Sequence, residues 1–99
     1  MRTYRLLTPA NEDLTAILAY LHSNSPAAAS RFLSSLDRRL SLLATQPKSG
    51  HRRDEFQHPD LLFITFGAYI VGYFPNTVPL SIAAILHGSQ DLTRIFPSR

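Results

Sequence analysis

The sequence contains no cysteine, which excludes disulfide bonds and thiolate metal ligands. Its four glycines are scattered, so no glycine-rich loop precedes a helix to bind a nucleotide phosphate. No run approaches the roughly 20 apolar residues that span a bilayer, and the N-terminal residues lack the apolar stretch of a signal peptide. We therefore expect one domain over residues 1–99 that begins at Met1 and acts in the cytoplasm, with no membrane partner.

Metal ligands and hydrolytic residues are not grouped along the chain. No Gly-x-Ser-x-Gly elbow presents a serine nucleophile, and no two histidines stand three or four positions apart, as a helical zinc site requires. The four histidines are His22, His51, His58 and His87. We accordingly predict neither a metal nor a cofactor.

Hydrophobic residues make up 44% of the chain and charged residues 17%, a composition typical of a folded domain. The formal net charge is +3 and the sequence pI is about 9.8. This charge either attracts an acidic partner, nucleic acid or protein, or serves solubility alone. The basic doublets are Arg38-Arg39 and Arg52-Arg53, and no longer basic run exists.

The first half of the sequence predicts one short strand and two helices. A strand over residues 4–7 precedes a helix over residues 9–22, with Thr8 as N-cap and acidic residues in the first turn. Ser25 and Pro26 start a second, longer helix that Pro47 ends. Because about three residues join the two amphipathic helices, we expect an αα-hairpin.

The second half changes to the two-residue period of strands. Strands over residues 61–66, 69–74 and 80–86 are separated by the Gly67-Ala68 turn and by a turn containing Pro75 and Pro79. The predicted fold is α+β, with the order β-α-α-β-β-β and the helical hairpin packed on one face of a small antiparallel sheet. The other face is expected to be partly wet or free for a partner.

One set of residues could cleave RNA without a metal. Such a reaction needs a proton acceptor, a proton donor and cations for the phosphate, and His87, Arg52, Arg53, Tyr73 and Arg94 supply these groups if they converge. The structural alternative, which we favour, is that His87 caps a strand, Tyr73 packs in the core and the arginines are solvated.

Several short motifs, in this order and spacing, resemble the ParE branch of the RelE/ParE superfamily, the toxins of bacterial toxin–antitoxin pairs. The similarity extends from Tyr4 to about Ile95. It rests on Thr8-Pro9-Ala10, Asp13-Leu14, Ile17, Tyr20, Ser25-Pro26, Ala28-Ala29, Phe32, Leu43, Pro47, Gly50, Gly67-x-Tyr69-Ile70-Val71-x-Tyr73 and Leu86-His87-Gly88-x-x-Asp91.

The resemblance implies a partner and a target. Such toxins are usually encoded beside a small ParD-like, DNA-binding antitoxin, whose C-terminal region wraps the toxin over the helical hairpin and the sheet. ParE-like toxins poison DNA gyrase, whereas RelE-like relatives cut messenger RNA on the ribosome. A homodimer, or a heterotetramer of two toxins and two antitoxins, is the expected kind of assembly.

The sequence departs from the family pattern at three places. Leu61-Leu62 and Gln90 stand where the family often carries arginine, and the tail, Phe96-Pro97-Ser98-Arg99, lacks the tyrosine of the ribonuclease members. These departures weaken a phosphate-contact role for the sheet end. They favour stoichiometric inhibition of gyrase over an enzymatic ribonuclease.

The expected target contacts are Arg52, Arg53, Arg94 and Phe96. The expected antitoxin groove passes Leu14, Leu18, Phe32 and Leu36, most of which we assign to the core, with the antitoxin on the rim. One alternative is a ribosome-dependent messenger RNA endonuclease that uses His87 as acid or base. Another is a non-toxic family member that acts only in antitoxin binding and operon autoregulation.

Overall fold

The computed structural model describes residues 3–53 and 58–90. Its elements follow the predicted α+β order. They are β1 (Tyr4–Leu6), α1 (Thr8–Asn24), α2 (Pro26–Thr45), a single 3₁₀ turn (Pro47–Ser49), β2 (Leu62–Phe66), β3 (Tyr69–Phe74) and β4 (Leu80–His87). Within this described part of the chain, neither helix is long and apolar enough to cross a membrane.

Helix α1 starts one residue earlier than the sequence predicts, so the assignment of Thr8 as N-cap is wrong. Leu7 occupies the N-cap position and makes no side-chain cap. Its backbone serves two elements at once, because its N–H donates to the Ile82 carbonyl and its own carbonyl accepts from the Asn11 N–H. The helix therefore begins where the strand ends, and the acidic residues fall in its second turn.

Ser25 is the whole connection between the two helices, rather than one of about three linking residues. Its backbone is extended, with φ −163° and ψ 112°, and its Oγ accepts a hydrogen bond from the Ala28 N–H at 3.2 Å. The predicted N-cap and the predicted hairpin are both confirmed. An extended residue with a side-chain cap reverses the chain and begins α2 in one step.

The four strands lie in the order β1-β4-β3-β2. Strands β2, β3 and β4 form the predicted antiparallel meander, and Gly67 turns the β2–β3 connection with φ 58°, a conformation that glycine adopts at no steric cost. Strand β1 pairs parallel to β4, which makes the sheet mixed. A parallel pair needs a long crossover, and the helical hairpin contributes to it.

A β-bulge in β4 changes which residues face the helices. Gly72 faces Ala84 and Tyr73 faces Ile82, which leaves Ala83 as the extra residue. Because one residue is inserted into the two-residue period, Ile82 and Ile85 both reach the core beneath the helices although they are three positions apart.

Both faces of the sheet are apolar and buried. The helix-side core contains Ala10, Leu14, Leu36, Leu40, Leu43, Ile64, Val71, Tyr73, Leu80, Ile82 and Ile85. The opposite face carries a second buried cluster of Leu61, Phe63, Ile70, Ala83, Ala84 and Leu86. The expectation that this face would be wet or free for a partner is therefore wrong, because buried apolar side chains line it.

Candidate functional site

Two groups of side chains outside the core lie at opposite ends of the sheet. At the end with the Gly67-Ala68 turn lie Phe32, Phe66, Tyr69 and His87, which we call the aromatic end. At the other end is a surface pocket, which we call the basic pocket. It is lined by Lys48, Gly50, Arg52, Pro59, Asp60, Leu62, Pro75 and Asn76.

Rings at the aromatic end meet edge to face. The Phe32 ring of α2 lies 5.5 Å from Phe66 and 5.4 Å from Tyr69, and Tyr69 lies 5.4 Å from His87. Phe66 ends β2 and Tyr69 begins β3, so the tight turn holds the two rings beside each other. Phe32, Phe66 and Tyr69 are half-buried and His87 is exposed, which leaves an aromatic surface that solvent and partners can reach.

His87 is held by the turn that follows β4. Its Nδ1 accepts a hydrogen bond from the Ser89 N–H at 3.1 Å and lies 2.7 Å from the Ser89 hydroxyl. An Nδ1 that accepts from a backbone N–H carries no proton in the neutral imidazole, so the proton lies on Nε2. Neutral His87 therefore presents a donor to solvent rather than a proton acceptor.

Gln90 has a local structural role. Its Oε1 accepts a hydrogen bond from the His87 N–H at 2.8 Å and so closes the same turn. Arginine has five donors and no acceptor, and it could not make this contact. Gln90 thus stabilises the end of β4.

The basic pocket has a volume of about 310 Å³. Arg52 is exposed at its rim, and its Nη1 donates to the Pro59 carbonyl at 2.6 Å. Within the described residues, neither Lys48 nor Arg52 is paired with a carboxylate. Among residues 3–53 and 58–90, the pocket therefore has two cations that form no ion pair with an acidic side chain, and Asp60 is the acidic residue in the described lining.

Tyr73 fastens the pocket wall to the core. Its hydroxyl donates to the Pro47 carbonyl at 2.7 Å and accepts from the Gly50 N–H at 2.9 Å. Burial raises the pKa of the Tyr73 hydroxyl above 10.0, while the hydrogen bond from Gly50 acts in the opposite direction. The neutral phenol is thus a structural clamp on the 3₁₀ turn.

The proposed RNA-cleaving group does not assemble from the described residues. His87 pairs with Tyr69 at the start of β3, whereas Tyr73 is four residues further along the same strand. That spacing is about 14 Å. The Tyr73 side chain is buried under the helices, and Arg52 lies near the same end as Tyr73. The structural alternative for Tyr73 is confirmed.

The other predicted contact residues differ in how far their side chains are buried. Arg53 is half-buried with its Nε shielded from solvent, so its side chain is partly built into the fold. Arg94 and Phe96 lie outside the described residues. Of the antitoxin-groove residues, Leu14 and Leu36 are in the core, as expected for most of that set, whereas Leu18 and Phe32 are half-buried at its edge.

Across residues 3–53 and 58–90, no three His, Asp or Glu side chains come close enough together to hold a metal ion. Sequence reasoning missed the pocket residues Lys48 and Asn76. Lys48 follows Pro47 in the exit of α2 and Asn76 sits in the β3–β4 turn. No spacing rule connects two loops that are about thirty positions apart in the sequence.

A match to a known protein family shows which family the chain belongs to. The sequence model described as the ParE toxin of the type II toxin–antitoxin system parDE matches residues 4–92. The chain belongs to the ParE toxin family. No curated protein gives a significant match over the same sequence.

Membership in the ParE family makes this chain a toxin component of a type II toxin–antitoxin system, and it implies an antitoxin partner. The matched region includes all the strands and helices found in residues 3–53 and 58–90, and both ends of the sheet.

Proposed function

We propose that this chain inhibits DNA gyrase stoichiometrically in the cytoplasm and that a tightly bound ParD-like antitoxin neutralises it. The match to the ParE toxin family over residues 4–92 is the observation that carries the proposal. The separation of His87 from Tyr73 and Arg52 supports it, because an acid–base mechanism of RNA cleavage needs such groups within reach of one phosphate.

Arg52 is the strongest described candidate for a gyrase contact. It is exposed, and its hydrogen bond to the Pro59 carbonyl holds the guanidinium at the pocket rim. Arg53 is a weaker choice, because part of its side chain is shielded by the fold. Arg94 and Phe96 complete the proposed contact set from the C-terminal segment, outside the described residues.

The antitoxin is proposed to pack against the aromatic end and the neighbouring edge of the helical hairpin. Leu18 and Phe32 are both half-buried against the core and keep part of their apolar surface exposed. An amphipathic helix binds such a surface by covering it with its own apolar side chains. Leu14 and Leu36 lie beneath and support this surface from the core.

The test combines two assays of the purified chain. Gyrase supercoiling of plasmid DNA should be inhibited at toxin concentrations comparable to the enzyme, while messenger RNA in a translating extract stays intact. Arg52→Ala should weaken the inhibition, and Arg38→Ala is the matched control, because Arg38 is an exposed arginine on α2 outside the pocket. Cut messenger RNA with normal supercoiling would favour the endonuclease alternative and His87, and an effect in neither assay would favour a non-toxic member.

A further inference from the structure

We propose that the basic pocket binds the phosphate of a nucleotide, either a free nucleotide or one unit of a nucleic-acid strand. This site goes beyond gyrase inhibition and does not depend on it. The pocket lies between the exit of α2, the start of β2 and the β3–β4 turn. Three separate segments of the chain therefore line one cavity.

The walls of the pocket are held in place before any ligand arrives. The Tyr73 hydroxyl holds Pro47 and Gly50 on either side of Lys48. Arg52 is bonded to the Pro59 carbonyl across the loop. A cationic site whose backbone is already fixed loses less conformational entropy on binding than a flexible one does.

His51 and Gly50 strengthen this wall. The His51 N–H and carbonyl both bond to Phe63 at 2.8 Å, which attaches the start of the loop to β2. A Cβ at Gly50 would approach the Phe63 carbonyl oxygen to 2.9 Å and would collide with the Tyr73 hydroxyl. The segment that carries Lys48 and Arg52 is thus fastened to the sheet at several points.

The charges in the pocket suit an anion. Lys48 and Arg52 contribute two positive charges, and within the described residues neither has an ion-pair partner. The side-chain amide of Asn76 adds a donor that no other described residue engages. Lysine, arginine and amide donors together are the groups that proteins use to bind phosphate oxygens.

The remaining lining and the size of the pocket indicate a nucleotide rather than a bare anion. Asp60 repels a lone phosphate, but its carboxylate can accept hydrogen bonds from a sugar hydroxyl or a base amino group. The volume of about 310 Å³ is at the lower end of small-molecule sites, which begin at about 300 Å³. Leu62 and the prolines provide apolar walls for the uncharged part of the ligand.

The direct test is a titration of the isotope-labelled full chain with three probes, followed by NMR. The probes are inorganic phosphate, ADP and a single-stranded thymidine octanucleotide. Saturable shifts are expected at the backbone amides of Gly50, Leu62 and Asn76, with a dissociation constant for ADP or the octanucleotide of about 1 mM or lower. Binding should tighten when ionic strength falls from about 0.15 M to about 0.01 M, since the Debye length grows from about 8 Å to about 30 Å.

Variants then separate the pocket from general positive charge. Lys48→Gln and Arg52→Gln should each weaken phosphate binding about tenfold, which corresponds to about 1.4 kcal/mol. Asp60→Asn should tighten the binding of inorganic phosphate, because it removes the repelling charge. Arg38→Gln and Arg39→Gln remove the same charge from exposed positions on α2 and should leave binding unchanged.

The outcomes are distinct. Preference for ADP would assign the pocket to a free nucleotide, and preference for the octanucleotide would assign it to a nucleic-acid backbone; both support the site. Absence of saturable shifts with all three probes would overturn the proposal, as would equal loss of binding in the α2 controls. Lys48→Gln alters an exposed side chain, so a loss of binding in this variant does not reflect a folding defect. The titrations contain no gyrase, so their outcome is independent of the proposed gyrase inhibition.

Discussion

Tyr73 shows that a residue capable of acid–base chemistry can have a purely structural role. Its ring is fully buried in the helix-side core, and its hydroxyl satisfies two backbone groups of the segment that leaves α2. A tyrosine with these contacts joins β3 to the 3₁₀ turn and so determines where Lys48 lies. The sequence alone favoured a core role for Tyr73 over a catalytic one, but a strand pattern does not say which backbone groups a phenol reaches.

We predict that Tyr73→Phe lowers the free energy of unfolding by about 1–3 kcal/mol. The ring still packs, but the Gly50 N–H and the Pro47 carbonyl lose their partner, and an unsatisfied buried group costs about that much. Urea denaturation of the variant measures the change. Tyr20→Phe is the control, because Tyr20 is 67% exposed and loses a hydroxyl already in contact with water. Equal effects in the two variants would contradict the assigned role.

The raised pKa of Tyr73 also makes the stability of the fold depend on pH. Burial raises the pKa of Tyr73 in the folded chain above its ordinary value of 10.0, so the folded state keeps the proton after the unfolded state begins to lose it. This contribution is complete below about pH 10 and is lost as pH rises through the folded pKa. The stability of the unaltered chain should therefore fall more steeply above pH 10 than that of Tyr73→Phe, measured by thermal melting across the alkaline range.

At the scale of elements, α1 continues the hydrogen bonding of β4 beyond the end of the short strand β1. β1 pairs with β4 only as far as Ile82, where the Leu7 N–H makes the last backbone contact. Beyond it, the Ile85 N–H donates to Asp13 Oδ2 at 3.0 Å. A side chain of the helix thus satisfies a strand N–H that no neighbouring strand reaches.

We predict that Asp13→Ala destabilises the fold by about 1–3 kcal/mol through the loss of this partner for the Ile85 N–H. Glu12→Ala is the matched control, since it removes an exposed acid from the adjacent position of the same helix turn. Both variants change the interaction with the helix dipole similarly, so the difference between their chemical denaturation midpoints measures the side-chain contacts of Asp13, which include the hydrogen bond to β4. A similar small change in both would show that Asp13 acts only through its charge.

Local signals predicted the elements well, and the pairing between distant elements less well. Ser25 before Pro26 identified the start of α2. The N-cap hydrogen bond joins residues only three positions apart, so a local sequence pattern is enough to predict it. The parallel pairing of β1 with β4 joins strands far apart in sequence, and the bulge at Ala83 depends on the register between β3 and β4. Thr8 was assigned to the wrong role because the Leu7 backbone contact with Ile82 is invisible in a local pattern.

At the scale of the whole molecule, one sheet presents two surfaces of different chemistry. The strands and α2 separate the aromatic end, with Phe32 and His87, from the basic pocket, with Lys48 and Arg52. From the sequence, Arg52 and His87 could be expected to meet at one end. The residue patterns predicted the fold and the family resemblance predicted the class of partner. The division between the two ends follows from the course of β3, which only the three-dimensional structure reveals.

Mutations should separate the functions proposed for the two ends of the sheet. We predict that Phe32→Ala weakens antitoxin binding and leaves gyrase inhibition in place, because it removes an aromatic side chain only from the aromatic end. Arg52→Ala should do the opposite and raise the concentration needed for half-inhibition by about tenfold or more, since a contact to a charged group is worth about 1.5–3 kcal/mol. Supercoiling assays and calorimetric titration with the antitoxin measure the two quantities.

Leu33→Ala is the matched control for the aromatic end, because Leu33 is the next residue of α2 and is 43% exposed. It should leave both activities near those of the unaltered chain. Both assays must run below the melting temperature of every variant, since Phe32 also packs against the core. If a folded Phe32→Ala protein lost gyrase inhibition and antitoxin binding together, target and antitoxin would share one surface, and the division of function between the two ends would be wrong.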